Sequence, residues 1–114
     1  MDGSNICNIG IISKVFDKYT DLLVNIADAW DAHNDIEELD NDLQSFAEMA
    51  AFEVEMQLGE IEYQPYIDLM RELGQYAGKW INLFLNRASW NHQPDWLGNH
   101  VRKAIESQIK RINN

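Results

Sequence analysis

The sequence predicts an all-α fold, a single-domain antiparallel four-helix bundle. Apolar residues recur at spacings of three and four through most of the 114 residues, no segment alternates as a strand would, and turn residues separate four such segments. A chain of this length holds one core and one domain. We expect helices at residues 8–32, 35–58, 65–88 and 95–112, all within a single domain spanning 1–114.

The first predicted helix has one apolar side and one acidic side. Its apolar positions follow a heptad: Ile9, Ile12, Phe16, Tyr19, Leu23, Ile26 and Trp30. Asp17, Asp21 and Asp28 fall together on the opposite side. This acidic stripe is expected to face water or a partner.

The second predicted helix begins after a short turn. Asn34, followed three residues later by Glu37, has the form of a capping box, and Gly59 suits the end of the helix. The inward positions are Ile36, Leu39, Leu43, Phe46, Ala47, Ala50, Val54 and Leu58. This face is expected to lie on the core.

The outer face of the second helix is unusual because it is partly apolar. Met49, Phe52 and Met56 fall almost opposite the core positions. Acidic residues bracket them, with Glu37, Glu48 and Glu55 on one flank and Asp42, Glu53 and Glu60 on the other. Exposed methionine and phenylalanine form an adaptable contact surface, and surrounding carboxylates would steer a basic partner.

The third predicted helix, which begins with Pro65, has the widest apolar side and is expected to be the most buried. Gly74 and Gly78 lie in its interior, where glycine is unfavourable, and this indicates close approach of a neighbouring backbone. Around the start of the basic fourth helix, Trp90, His92 and Trp96 either plug the end of the core or line a small-molecule pocket.

The charge is strongly negative and unevenly distributed. The net charge is -10, and sixteen acidic residues lie between Asp17 and Glu72, against only Lys18 and Arg71. An acidic surface disfavours direct binding to nucleic acid or membranes and favours a basic protein. With a single cysteine and no apolar run long enough to span a membrane, the protein is expected to be cytoplasmic.

The sequence predicts no catalytic, cofactor or metal site from spacing alone. No histidine stands in a Glu-x-x-His pair, and one cysteine with three scattered histidines makes no zinc ligand set.

Glu72-Leu73-Gly74-Gln75 resembles the Glu-x-x-Asp helix of the MazG-type nucleoside triphosphate pyrophosphohydrolases, with Glu48, Glu53 and Glu55 as preceding carboxylates. Those small all-α enzymes hold Mg²⁺ with carboxylates from two helices. Gln75 replaces the second carboxylate, and Glu53 and Glu55 lack the three-residue spacing. The resemblance therefore implies a degenerate Mg-dependent nucleotide pyrophosphohydrolase.

Three functions follow, and the leading one is a non-enzymatic, acidic protein-binding module. It would dock on a basic partner such as a nucleic-acid-binding protein, and its acidic rows could imitate duplex phosphates, as phage-encoded DNA-mimic inhibitors do. The first alternative is a homodimeric structural bundle closed by the Met49, Phe52 and Met56 strip or by the first helix's heptad. The second alternative is the MazG-like enzyme.

Overall fold

The computed structural model is an all-α fold of four helices, as predicted. They are α1 (Gly3–His33), α2 (Ile36–Leu58), α3 (Tyr63–Arg87) and α4 (Trp96–Asn113). The backbone is described for residues 3–58, 63–87 and 96–113, and the side chains for residues 10–58, 64–84 and 96–111. The predicted helix ends lie within two residues of the observed ones, except that α1 begins five residues earlier than expected. Among these helices, none has the length and hydropathy required of a membrane span.

The turn between α1 and α2 uses two residues, and its cap differs from the predicted one. Asn34 has a φ of 53°, the left-handed conformation in which asparagine often ends a helix. The Asp35 carboxylate then accepts hydrogen bonds from the backbone N–H groups of Glu37 and Glu38, at 3.0 and 3.2 Å. The expected capping box at Asn34 is therefore wrong: Asn34 closes α1, and Asp35 caps α2.

The heptad of α1 is used within the chain. Ile12, Phe16, Leu23 and Ile26 are buried, and Tyr19 and Trp30 pack against the same core. These six heptad positions are thus used for contacts within the chain, and the side chain of the seventh, Ile9, lies outside the described residues. In α2 one expected core residue, Ile36, is 48% exposed because it is the first residue of its helix.

The hairpin of α3 and α4 is packed closely at glycines. A Cβ on Gly74 would lie 3.2 Å from Ile105, and one on Gly78 would lie 3.0 Å from the Gly98 carbonyl oxygen. The Asn82 side chain accepts a 2.9 Å hydrogen bond from the Gly98 N–H. The predicted close approach of a neighbouring backbone is confirmed at Gly78, where Gly98 supplies the matching gap on α4, whereas Gly74 makes room for the Ile105 side chain.

Pairs of contacting residues define the relative directions of α1, α2 and α4. α1 and α2 meet again at Lys18 and Glu53, far from their turn, and therefore run in opposite directions. α2 and α4 run in the same direction, because Asp40 contacts His100 near the start of both helices and Glu48 contacts Arg111 near the end of α4. Both α1 and α4 pack against α2 and α3. α2 is therefore flanked by α1 and α4.

Candidate protein-binding surface

The outer face of α2 carries an exposed apolar strip, which we call the α2 strip: Met49, Phe52 and Met56. Their exposed fractions are 39%, 61% and 59%. Spacings of three and four residues place them on one side of the helix, whereas Leu43, Phe46, Ala50 and Val54 point into the core from the other side. No part of the described chain covers the α2 strip.

The flank of the α2 strip that faces α4 is bridged by basic side chains. The Arg111 guanidinium donates to the Glu48 carboxylate at 2.8 Å, and His100 Nδ1 lies 3.3 Å from an Asp40 carboxylate oxygen. The side chains of Glu48 and Arg111 are both more than half exposed. Such a surface pair adds little to stability, but it neutralises part of the negative charge on this flank.

On the flank of the α2 strip that faces α1, the Glu53 carboxylate is buried and binds α1. Glu53 is only 7% exposed, and its two oxygens accept hydrogen bonds from Lys18 Nζ at 3.0 Å and from Gln57 Nε2 at 2.9 Å. The bonds from Gln57 and Lys18 lower the pKa of the Glu53 carboxyl below its ordinary 4.5. The expectation that Glu53 is available to a partner is therefore wrong, because this residue joins α2 to α1.

The other predicted acidic residues lie mostly at the surface. Asp17, Asp21 and Asp28 on α1, and Glu37 and Glu55 on α2, are exposed, whereas Asp42 is half-buried. Within the described chain, no ion pair forms at any of these six residues. Glu60 lies outside the described residues. The exposed acidic set is thus smaller than predicted: on α2 it lies on the flank of Glu37, Glu48 and Glu55, and on α1 it is the row of Asp17, Asp21 and Asp28.

The carboxylates implied by the resemblance to pyrophosphohydrolases do not converge. Glu48 faces α4, Glu53 is bound to Lys18 of α1, and Glu72 lies at the surface beside α1. Over the residues whose side chains are described, no group of three or more acidic, histidine or cysteine side chains could hold a metal ion. A shared Mg²⁺ would require these carboxylates to lie close together, and in the structure they lie apart.

Aromatic side chains fill one end of the bundle. The Trp30 and Trp96 rings meet edge to face at 4.9 Å between centroids, and Trp96 meets His100 in the same way at 5.4 Å. Trp30 Nε1 is buried and has no hydrogen-bond partner among the described residues. Trp96 thus plugs the core at this end. Trp90 and His92, the other members of the predicted pocket, lie outside the described residues.

Comparison with known proteins assigns the chain to no family. No protein family, curated protein or solved structure matches the chain significantly. The functional argument therefore depends on geometry and charge.

A second exposed apolar region, which the sequence reasoning missed, lies on α3. Tyr76 is 49% exposed and Leu83 is 67% exposed, although α3 was expected to be the most buried helix. Their spacing of seven residues was the available signal, since it places both on one stripe of the helix. Because α3 has so many apolar positions, the sequence does not distinguish these two exposed residues from those that face the core.

Proposed function

We propose that this protein is a non-enzymatic binding module whose α2 strip and surrounding carboxylates dock on a basic protein. The observation that supports this function is the exposure of Met49, Phe52 and Met56 amid acidic residues. Flexible methionine side chains and an exposed phenylalanine suit contact with another protein. Carboxylates beside them favour a cationic partner and raise its rate of association.

The partner proposed is a nucleic-acid-binding protein whose basic site is blocked. Asp17, Asp21 and Asp28 form an exposed row along α1, and Glu37 and Glu55 add charge on α2. A basic site that attracts phosphates also attracts such carboxylates, so the protein would compete with nucleic acid for it. This mode requires no ligand, metal or catalytic group on the present chain.

The test is affinity capture from cell lysate at low and high salt, with duplex DNA as a competitor. The wild-type protein should retain a basic partner at low salt and release it in high salt, because screening weakens exposed charge pairs. Duplex DNA should also release that partner, since both occupy one site. Capture that survives high salt and excess DNA contradicts the proposal.

A charge-reversal pair locates the binding surface. D28K/E55K changes two exposed carboxylates without an ion pair, and both lysines would lie in the C-terminal halves of helices, where they suit the helix dipole. We expect at least about a tenfold loss of affinity. The control D31K/D68K changes the net charge equally at other exposed positions. Equal losses for the two variants would show that only net charge matters and would contradict the assigned surface.

A further inference from the structure

The exposed side of α3 next to α1 carries a stripe of mixed character, which we call the α3 stripe: Glu72, Tyr76, Lys79 and Leu83. Spacings of four, three and four residues align them along about three turns of the helix. All four are exposed, and the two apolar members are among the most exposed large hydrophobic residues described. The α3 stripe is thus a second surface, separate from the α2 strip.

A cleft of about 430 Å³ runs beside the α3 stripe, between α3 and α1. Ile12 and Ser13 line its α1 side, and Glu72, Tyr76 and Lys79 line its α3 side. The Tyr76 ring rests edge to face on Phe16, with centroids 4.9 Å apart. Tyr76 is therefore held against the core while half of its surface remains free for contact.

The two charges of the α3 stripe have no ion-pair partner in the described chain. Glu72 and Lys79 have opposite charge, but they lie about 10 Å apart along the helix axis, which is too far for a direct bond between them. Each therefore has an unused ion-pairing group at the surface, and the two flank Tyr76.

We propose that two copies of this chain associate through their α3 stripes, packed antiparallel about a two-fold axis near Tyr76. A two-fold interface is self-complementary, so any contact made by one copy is made again by the other. With the axis between positions 75 and 76, Glu72 of each copy faces Lys79 of the other. Two ion pairs then enclose the two tyrosines, and Leu83 of each copy lies opposite Asp68 of the other, at the outer edge of the contact.

The arrangement of charges favours a second copy at the α3 stripe and disfavours one at the α2 strip. The α3 stripe carries one negative and one positive residue in a self-complementary arrangement. The α2 strip is bordered by Glu37 and Glu55, which have no ion-pair partner in the described chain, so a symmetric pairing there would bring like charges together. The two surfaces therefore take different occupants, and association through α3 does not depend on the function proposed for α2.

Sedimentation equilibrium between about 1 and 300 µM protein tests this interface, a range that covers the affinities of small interfaces. The wild-type chain should form dimers. E72K and K79E should each weaken the dimer by about tenfold, because each replaces two attractive pairs with two repulsive ones. An equimolar mixture of E72K and K79E should form heterodimers, since both pairs are then attractive, and the double variant E72K/K79E should form homodimers again.

The control is F52S. It changes an apolar residue on the α2 strip that is about as exposed as Leu83 on the α3 stripe, and it should leave dimerisation unchanged. Circular dichroism checks that every variant retains its helices. A wild-type chain that stays monomeric throughout this range overturns the proposal. So does a dimer that E72K and K79E leave intact, or one that F52S disrupts.

Discussion

Lys18 Nζ lies 3.0 Å from Glu53 Oε1, and this pair joins α1 to α2 next to the exposed α2 strip. The lysine side chain is 58% exposed, whereas the glutamate side chain is only 9% exposed. The bond therefore anchors a buried carboxylate with a cation that reaches in from the surface. It fixes the packing of α1 against α2 and removes Glu53 from the set of acidic groups available to a partner.

The Glu53 carboxyl should make stability depend on pH in the acid range. Its hydrogen bonds lower the pKa in the folded state below the ordinary 4.5, so its stabilising contribution is present above that value and is lost as pH falls through the folded-state pKa. We expect E53Q to melt at a lower temperature than the wild type at pH 7. The difference should shrink as the pH falls well below the ordinary value. Melting curves followed by circular dichroism measure it, and a difference independent of pH would contradict this role.

Replacing Gly98 should separate α3 from α4. A Cβ at this position would lie 2.6 Å from the Gly78 carbonyl oxygen and 2.5 Å from the Asn82 side-chain nitrogen. The Gly78 carbonyl is part of the α3 backbone, so it cannot move away unless α3 shifts. We therefore expect G98A to lower the free energy of unfolding by about 1 to 3 kcal/mol. The measurement is urea denaturation.

Gly10 provides the matched control for that substitution. It lies within α1, and a Cβ there would meet nothing within 4 Å among the described residues, apart from its chain neighbours and the backbone of its own helix. G10A should raise the free energy of unfolding by about 0.5 to 1 kcal/mol, because alanine is the better helix former. A stable G98A protein would contradict the close packing of the two helices.

Removing the cap of α2 should destabilise the α1–α2 hairpin. The Asp35 carboxylate accepts from two N–H groups at the first turn of α2. D35A should therefore cost about 1 kcal/mol of unfolding free energy by chemical denaturation. The comparison variant D31A changes an exposed aspartate whose side chain has no hydrogen bond within the described chain, and it should cost less than about 0.5 kcal/mol. Similar losses in both variants would argue against the cap.

The Arg111–Glu48 pair should influence partner binding more than stability. Both side chains are more than half exposed, so R111Q should change the free energy of unfolding by less than about 0.5 kcal/mol. The substitution leaves Glu48 uncompensated beside the α2 strip. We therefore expect capture of the basic partner at low salt to increase by about twofold to threefold. Capture that falls in R111Q would show that Arg111 itself belongs to the contact surface.

The sequence predicts the helices well because their patterns are local. The heptad of α1 and the apolar positions of α2 recur at fixed spacings, and burial of those positions needs no knowledge of the neighbours. The role of Gly74 and Gly78 was likewise predictable, because glycine is unfavourable within a helix unless packing requires it. Gly98, which faces Gly78, was not predictable in this way, since an early glycine in α4 carries no comparable signal.

The candidate surface is less predictable because pairing between helices decides which carboxylates stay free. Glu53 and Glu55 are two residues apart, and the helical period alone places both on the outer half of α2. The neighbouring helix buries Glu53 against Lys18 and leaves Glu55 exposed. Arg111, sixty-three residues from Glu48 in sequence, compensates that carboxylate. Only the packing of α1 and α4 on α2 fixes these contacts.

The most direct test of the proposed function compares F52S with L83S. Both replace an exposed apolar residue of similar accessibility, one on the α2 strip and one on the α3 stripe. Recovery of the basic partner at low salt should fall at least about tenfold for F52S, because the centre of the contact is lost, and should stay at the wild-type level for L83S. Wild-type recovery by F52S, or equal losses in both variants, would contradict the assignment of partner binding to α2.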